Sequence, residues 1–447
     1  MSSPRPPTSS PKPSTKRCTN RKSIIISFVV SLLLLALILG LSLGLTRPKN
    51  NDSTGTPMTT YSGLQSAKGS VDLVASRLTG VRSLLFDRAT GKVLSLVRGK
   101  QQVVAIAVVQ PSTADFSQNV ILDVSSLNIG LNHGMAIHEG YIYASSASSV
   151  YRWKYSGQPI AKPGEYETFV SNIDSGFLPG DTAAGHITRT ILLDSNWLYI
   201  SVGSLGNVDP TPFRSRIRRV PYKTYNSTAF NFQTAEVFAD GVRNAVAMAF
   251  DSRGKLWTAV NGPDNLARPD IGNDIVQDSP IEPIYLLEQP GRFYGYPYCF
   301  TLGNVSGSFA TDPSVGTQYA WPDSMNDGTH TDAWCRDPAN VVTPSAMIQA
   351  HSAPLDMEFG PSGMLYVALH GSWNRNVPAG YSIVRLPFKP DGSPTVDRVT
   401  DRVLWLSDQL CPATSVTTCF RPAGLAIVDK YVYVSSDATG EIVRFEY

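Results

Sequence analysis

The sequence predicts an all-β chain folded as a six-bladed β-propeller and preceded by a single transmembrane helix. Two observations carry the propeller and one carries the helix. A hairpin of two short apolar strands, polar at its open ends, recurs six times along the chain. The composition, 17% charged with 35 glycines and 32 prolines in 447 residues, suits many short strands and turns rather than long helices. Ile24 to Leu45 carries no charged residue, and at about 1.5 Å per residue it is long enough to cross a hydrocarbon layer of about 30 Å.

From the beginning, residues 1–22 are rich in Pro, Ser and Thr, a composition that builds no core and reads as a disordered tail. Arg5, Lys12, Lys16, Arg17, Arg21 and Lys22 precede the apolar run, against Arg47 and Lys49 just after it. That bias places the N-terminus in the cytoplasm and the rest outside, so 23–45 reads as a type II signal anchor. Residues 46–75 are polar, hold Pro48 and Pro57, and read as a stalk. Sequons at Asn51, Asn226 and Asn304 agree with an extracellular or lumenal propeller. The net charge of +2 implies no nucleic-acid partner.

Residues 76–447 hold the repeat. In Gly241–Asn265 an apolar strand turns at Asp251-Ser252-Arg253-Gly254 and returns to Asn261-Gly262-Pro263. The same plan begins at Val81, Asn132, His186, Ser352 and Arg421. Repeated short hairpins of this kind are the mark of propeller blades. If each is the inner pair of strands of its blade, the start of the first strand and the end of the second lie on one face of the disc. Strand starts then bring Arg82, His133, His186, Arg189, Arg243, Asn244 and Arg421 to one channel mouth. Strand ends bring Gly262, Pro263, His370, Arg375 and Asp437 there too. Arginines and histidines around one mouth suit an anionic ligand.

Of the five cysteines, Cys18 falls in the tail and four fall outside the membrane. Those four allow three pairings; Cys299–Cys335 and Cys411–Cys419 are favoured because each closes a loop without crossing blades. No C-x-x-C or histidine pair has metal-ligand spacing. The segment 266–350 must supply some blade strands, and its aromatic remainder reads as loop on the channel face.

The stretches GVRNAVAMAFDSRGKLWTAVNGPDNL, GHITRTILL, LNHGMAI with YASSASSVYRW, HGSWNRNVPAGYSIVRLPF and RPAGLAIV resemble the soluble quinoprotein glucose and sorbosone dehydrogenases, particularly the pyranose dehydrogenases that use pyrroloquinoline quinone. The resemblance covers 76–447. It implies a sugar dehydrogenase in which His186 is the general base, suited to that task by an ordinary pKa of about 6.5. It implies quinone carboxylates held by Arg82, Arg243, Arg375 and Arg421, with Asn244, His370 and Trp373 beside them, since a guanidinium forks onto a carboxylate. His133, Arg189 and Asp437 complete the expected cofactor pocket. It further implies a calcium on the backbone carbonyls of Gly262 and Pro263. One departure stands out: Val260 occupies a position that is usually acidic in the family.

The expected activity is therefore oxidation of a pyranose hydroxyl, with electrons passed to an external acceptor such as a cytochrome. Two rivals remain at this point: a calcium-dependent lactonase or esterase on the same fold, and a binding propeller without catalysis. The first needs Asp, Glu and Asn side chains in the mouth. The second draws its support from Val260.

Overall fold

The computed structural model describes residues 63–107, 117–173, 185–272, 275–406, 411 and 418–447. Six sheets, antiparallel but for a short parallel outer strand in blades two and three, form the blades, and each expected hairpin is the inner pair of strands of one sheet. Blade one is built on Val81–Asp87 and Lys92–Val97, blade two on Met135–His138 and Tyr141–Ser145, blade three on Ile191–Leu193 and Leu198–Val202. Blade four is built on Ala247–Phe250 and Leu256–Ala259, blade five on Pro354–Phe359 and Leu365–Leu369, blade six on Pro422–Val428 and Tyr431–Ser436. Alternate residues of these strands pack into apolar clusters between neighbouring blades; one unites Trp257 of blade four with Met357 and Val367 of blade five.

Closure removes the free edges of the ring. Val71–Ala75 pairs antiparallel with Glu441–Glu446, so the start of the propeller supplies the outer strand of the last blade. Arg444, 1% exposed, ties this seam through Nε to Asp72 Oδ2 at 3.2 Å. Leu64–Ser66 likewise extends blade five by pairing with Arg402–Leu406. Residues 64–75, expected in the stalk, therefore belong to the propeller. Strands of three and five residues carry too little periodicity to be read from sequence.

Around the axis each blade is stitched to the next by at least one hydrogen bond between a side chain and the neighbouring backbone. Ser83 Oγ donates to His133 O at 2.5 Å, Ser145 Oγ to Arg189 O at 2.7 Å and Thr190 Oγ1 to Val246 O at 2.5 Å. Asn261 Nδ2 donates to Pro354 O at 2.8 Å, Asp356 accepts from Leu425 N at 2.8 Å, and Ser435 Oγ donates to Arg82 O at 2.6 Å. The inner strands approach so closely that Gly134 and Gly424 have no room for a side chain. A Cβ there would lie 2.3 Å from Arg189 O and 2.2 Å from Arg82 O respectively.

Segment 266–350 supplies the outer strands of blade four, Glu282–Leu287 and Ala346–Ile348, and a separate hairpin of Cys299–Thr301 with Gln318–Ala320. A short helix, Asp332–Arg336, follows, and Cys299–Cys335 fastens it to that hairpin. Cys411–Cys419 is the second disulfide, so both favoured pairings are found. Most aromatic rings of the segment are packed inside: Tyr294, Tyr296, Phe300 and Trp321 are all buried. No helix among the described residues is long and apolar enough to cross a membrane. The expected anchor, Ile24–Leu45, and the sequon at Asn51 lie outside the described residues.

Candidate active site

A cavity of about 290 Å³ opens where the inner strands begin. Arg82, His186, Arg243, Asn244, His370 and Arg421 line it, with Gly262 and Trp373 at its wall and lip. The ring geometry inferred from the repeats thus brings together residues more than 300 positions apart.

His186 is oriented by its own blade. Nδ1 lies 2.8 Å from Ser204 O and 3.0 Å from Ser204 Oγ. A carbonyl can only accept, so Nδ1 carries the ring proton and Nε2 keeps a lone pair. Nε2 has no partner among the described residues. Burial, followed by the charge of Arg243, lowers the His186 pKa to about 4. The ring is neutral across the physiological range and able to take a proton. Gly203 makes this placement possible: a Cβ there would lie 2.6 Å from His186 Cβ and 2.4 Å from Asn244 Oδ1.

Opposite, Asp437 joins two cavity residues from behind. Its oxygens lie 2.5 Å from Arg82 Nη1 and 2.7 Å from His370 Nε2. Burial works against the Asp437 anion, but the hydrogen bond from His370 and the charge and hydrogen bond of Arg82 hold its carboxyl well below the usual range. Burial lowers the His370 pKa in spite of that contact. Arg421 is steered by its own bonds, Nε to His370 O at 3.0 Å and Nη2 to Gly371 O at 2.7 Å. Arg82 Nε is buried without a partner among the described residues, donor capacity left unspent beside the cavity.

Five expected residues stand away from this wall: Asp437, behind Arg82 and His370, and four others. His133 lines a second hollow farther along the axis. Arg189, 1% exposed, donates to the carbonyls of Ala147, His186 and Thr188, so it holds the turn beneath His186 rather than facing the cavity. Arg375 bonds Asp278 at 2.8 Å and the carbonyls of Ala350 and Val377, which ties the Trp373 loop to segment 266–350. Pro263 faces a small aromatic niche with Tyr285, Tyr294 and Tyr296. Arg189 and Arg375 are spent on other partners, Pro263 packs into its niche, and His133 lies below the mouth.

Sequence reasoning passed over Asp264, Glu282, His351 and Asn374, all of which line the cavity. Asp264 Oδ1 accepts from His351 Nδ1 at 3.1 Å and from Asn374 Nδ2 at 2.8 Å. His351 Nε2 lies 2.7 Å from Val276 O. With an acceptor at each nitrogen, both donate. Although burial opposes it, these bonds raise the His351 pKa above its ordinary value. The signal was available, since His351 stands at the start of the fifth hairpin, one residue before the repeat was taken to begin. Glu282 comes from the third strand of blade four. Its Oε2 accepts from Gly262 N at 2.6 Å, and burial raises its pKa to about 7. Val260 is itself buried in the apolar cluster of that blade. The carboxyl at the Gly262 corner is thus supplied by the neighbouring strand.

The Gly262 carbonyl accepts from Arg243 Nη1 at 2.6 Å. No group of three or more His, Cys, Asp or Glu among the described residues is placed to hold a metal. A calcium on this corner would share the carbonyl with a guanidinium at 2.6 Å whose positive charge repels it. The residues do not form a ready calcium site. For an anionic quinone the fit is good: three arginines, two neutral histidines and Asn244 meet in one cavity, and the nearby Asp264 and Asp437 are already paired.

A six-bladed propeller with a cationic mouth and a free imidazole defines a class of fold and site shared with quinone-dependent dehydrogenases. The TrAA12-like family matches residues 65–446, and the chain belongs to it. A pyrroloquinoline quinone-dependent pyranose dehydrogenase of Coprinopsis cinerea is 34% identical over 70% of this chain and 46% of its own length. The chain therefore spans about half of that relative. A pyrroloquinoline quinone-dependent sugar dehydrogenase of Hypocrea jecorina (strain QM6a) is 32% identical over 88% of this chain and 91% of its own. The holo form of the pyranose dehydrogenase quinone domain from Coprinopsis cinerea superposes with a TM-score of 0.72 at 28% identity, covering 90% of this chain and 99% of that one.

Proposed function

We propose that this protein oxidises a pyranose hydroxyl by hydride transfer to pyrroloquinoline quinone held in the mouth cavity, and passes the electrons to an external acceptor. The observation that carries the reading is His186: its tautomer is fixed by Ser204, and it shares one cavity with Arg82, Arg243 and Arg421. The bound quinone supplies the hydride acceptor. Everything else falls to the chain. Arg82 and Arg421 offer guanidinium donors to its carboxylates, with Arg243 and Asn244 on the adjoining wall. His186 Nε2 takes the hydroxyl proton, which readies the sugar carbon to release its hydride. Trp373, 61% exposed at the lip, offers a ring face to the sugar. Calcium enters this reading only by competing with Arg243 for the Gly262 carbonyl, and no step depends on it. The lactonase alternative lacks support, because the two carboxyls that line the cavity are engaged, Asp264 by His351 and Asn374 and Glu282 by the Gly262 amide, and among the described residues they form no metal cage.

In the same reading the chain is a type II membrane protein with its propeller extracellular or lumenal, glycosylated at Asn226 and Asn304. The charge bias around Ile24–Leu45 supports this, as does the exposure of Asn226. The test of function is titration of the purified full-length chain with pyrroloquinoline quinone, with calcium or with a chelator, followed by dye reduction over a panel of sugars. Saturable binding with sugar-dependent reduction is expected. Binding without reduction of dye by any sugar would leave a binding propeller instead.

A further inference from the structure

Below the mouth cavity a second hollow of about 350 Å³ runs along the propeller axis, lined by inner strands of all six blades. Five blades contribute mostly apolar side chains to it, among them Leu85, Met135, Leu192, Ala249 and Leu425. Blade five differs, contributing two carboxyls on alternate residues, Asp356 and Glu358. Backbone amides hold both: Asp356 accepts from Leu425 N at 2.8 Å and Met357 N at 2.9 Å, Glu358 Oε2 from Ile427 N at 3.0 Å. The second oxygen of Glu358 has no partner among the described residues.

His133 also lines the hollow; at 2% exposed, its ring forms wall there rather than a contact open to a ligand. The rings of Phe86, Phe250 and Phe359 complete the wall, and the Arg88 guanidinium lies at the outer end.

The chemistry of these groups selects the ligand. Burial raises the Asp356 pKa to about 7, and burial with the nearness of Asp356 raises that of Glu358 to about 8. Near neutral pH Glu358 is largely protonated and Asp356 about half so, and a protonated carboxyl both donates and accepts. A hydroxyl does the same. An organic cation would meet little negative charge there and would face Arg88, while no metal cluster is formed by these groups.

We propose that the axial hollow is a second saccharide site, separate from the catalytic cavity. It takes a neutral pyranose or similar polyol, whose hydroxyls exchange hydrogen bonds with Glu358 and Asp356 while its C–H face lies on the phenylalanine rings. The inference does not depend on the catalytic reading, and the experiment separates them.

Equilibrium dialysis with labelled D-glucose, D-xylose or glycerol on the quinone-free, full-length chain is the test. At least one probe is expected to bind saturably, His186→Ala to leave that binding unchanged, and Glu358→Leu to weaken it about tenfold or more, as loss of a buried hydrogen-bonding partner implies. The sugar KM of the quinone-loaded Glu358→Leu enzyme stays within about twofold of the parent. Absence of saturable binding, undiminished binding in Glu358→Leu, or a parallel rise in KM would each overturn the proposal. Should Glu358→Leu fail to fold, Glu358→Gln, which keeps an acceptor for Ile427 N, and Phe250→Leu are measured instead. Each is expected to weaken binding several-fold, and unchanged binding in both would overturn the proposal.

Discussion

Replacing His186 by alanine removes the neutral lone pair that faces the cavity and leaves the arginines in place. Loss of a general base costs about 10²–10⁴-fold in rate, or about 3–5 kcal/mol of barrier. The structure adds a pH signature. A free imidazole is half protonated at about pH 6.5, whereas burial and Arg243 bring His186 to about 4. At 1.36 kcal/mol per tenfold change, that amounts to roughly 3 kcal/mol against the imidazolium. Because the folded value lies below the ordinary one, the base stays competent as the pH falls through 6.5 and is lost only on approach to 4. Two measurements follow: dye reduction with a saturating sugar by purified, quinone-loaded parent and His186→Ala, and an NMR titration of the His186 ring in the quinone-free chain. Quinone binding within a few-fold of the parent, turnover reduced at least 100-fold, and a ring still neutral at pH 5 are expected. Turnover within a few-fold of the parent would refute the base assignment. A midpoint near 6.5 would refute the account of its burial.

Other perturbations follow from the same geometry. Arg421→Ala should weaken quinone affinity by about 1.5–3 kcal/mol if a charged hydrogen bond is lost, whereas Arg189→Ala should lower thermal stability and leave affinity nearly intact; equal effects on affinity would mean that Arg189 reaches the ligand. Gly203→Ala crowds His186 and Asn244 together, so turnover should fall while far-ultraviolet circular dichroism is preserved, and full activity would show that the wall can yield. Removing Cys299–Cys335, which spans 36 residues, should cost about 3–4 kcal/mol in chemical denaturation by loop-closure entropy, against nearly no change if the hairpin is held by packing alone. Protease added to intact cells should digest the propeller, and complete protection would reverse the proposed orientation.

The repeat was legible because a hairpin is local: its alternating strands and turn residues lie within about twenty positions, and each copy restates the pattern. Six copies imply a ring, and the ring places strand starts on one face. That reasoning needs no side-chain coordinates, and it located His186, Arg82, Arg243 and Arg421 around one cavity. Compartment and loop length likewise pointed to the two disulfides.

What the sequence left open depends on direction and on partners distant in the chain. Arg189 and Arg243 both stand at strand starts, yet one is spent on carbonyls beneath His186 and the other lies against the Gly262 carbonyl. Glu282 gained its place at that corner from a strand twenty residues later, and Asp264 meets His351 across the mouth. The short strands that close blades five and six carry no periodic signal and form only because their partners are already aligned. Local pattern determined which face of the disc each residue would reach. Only the packed ring decided which side chains turn into the cavity, because burial and competing hydrogen bonds are set by neighbours that the chain brings together last.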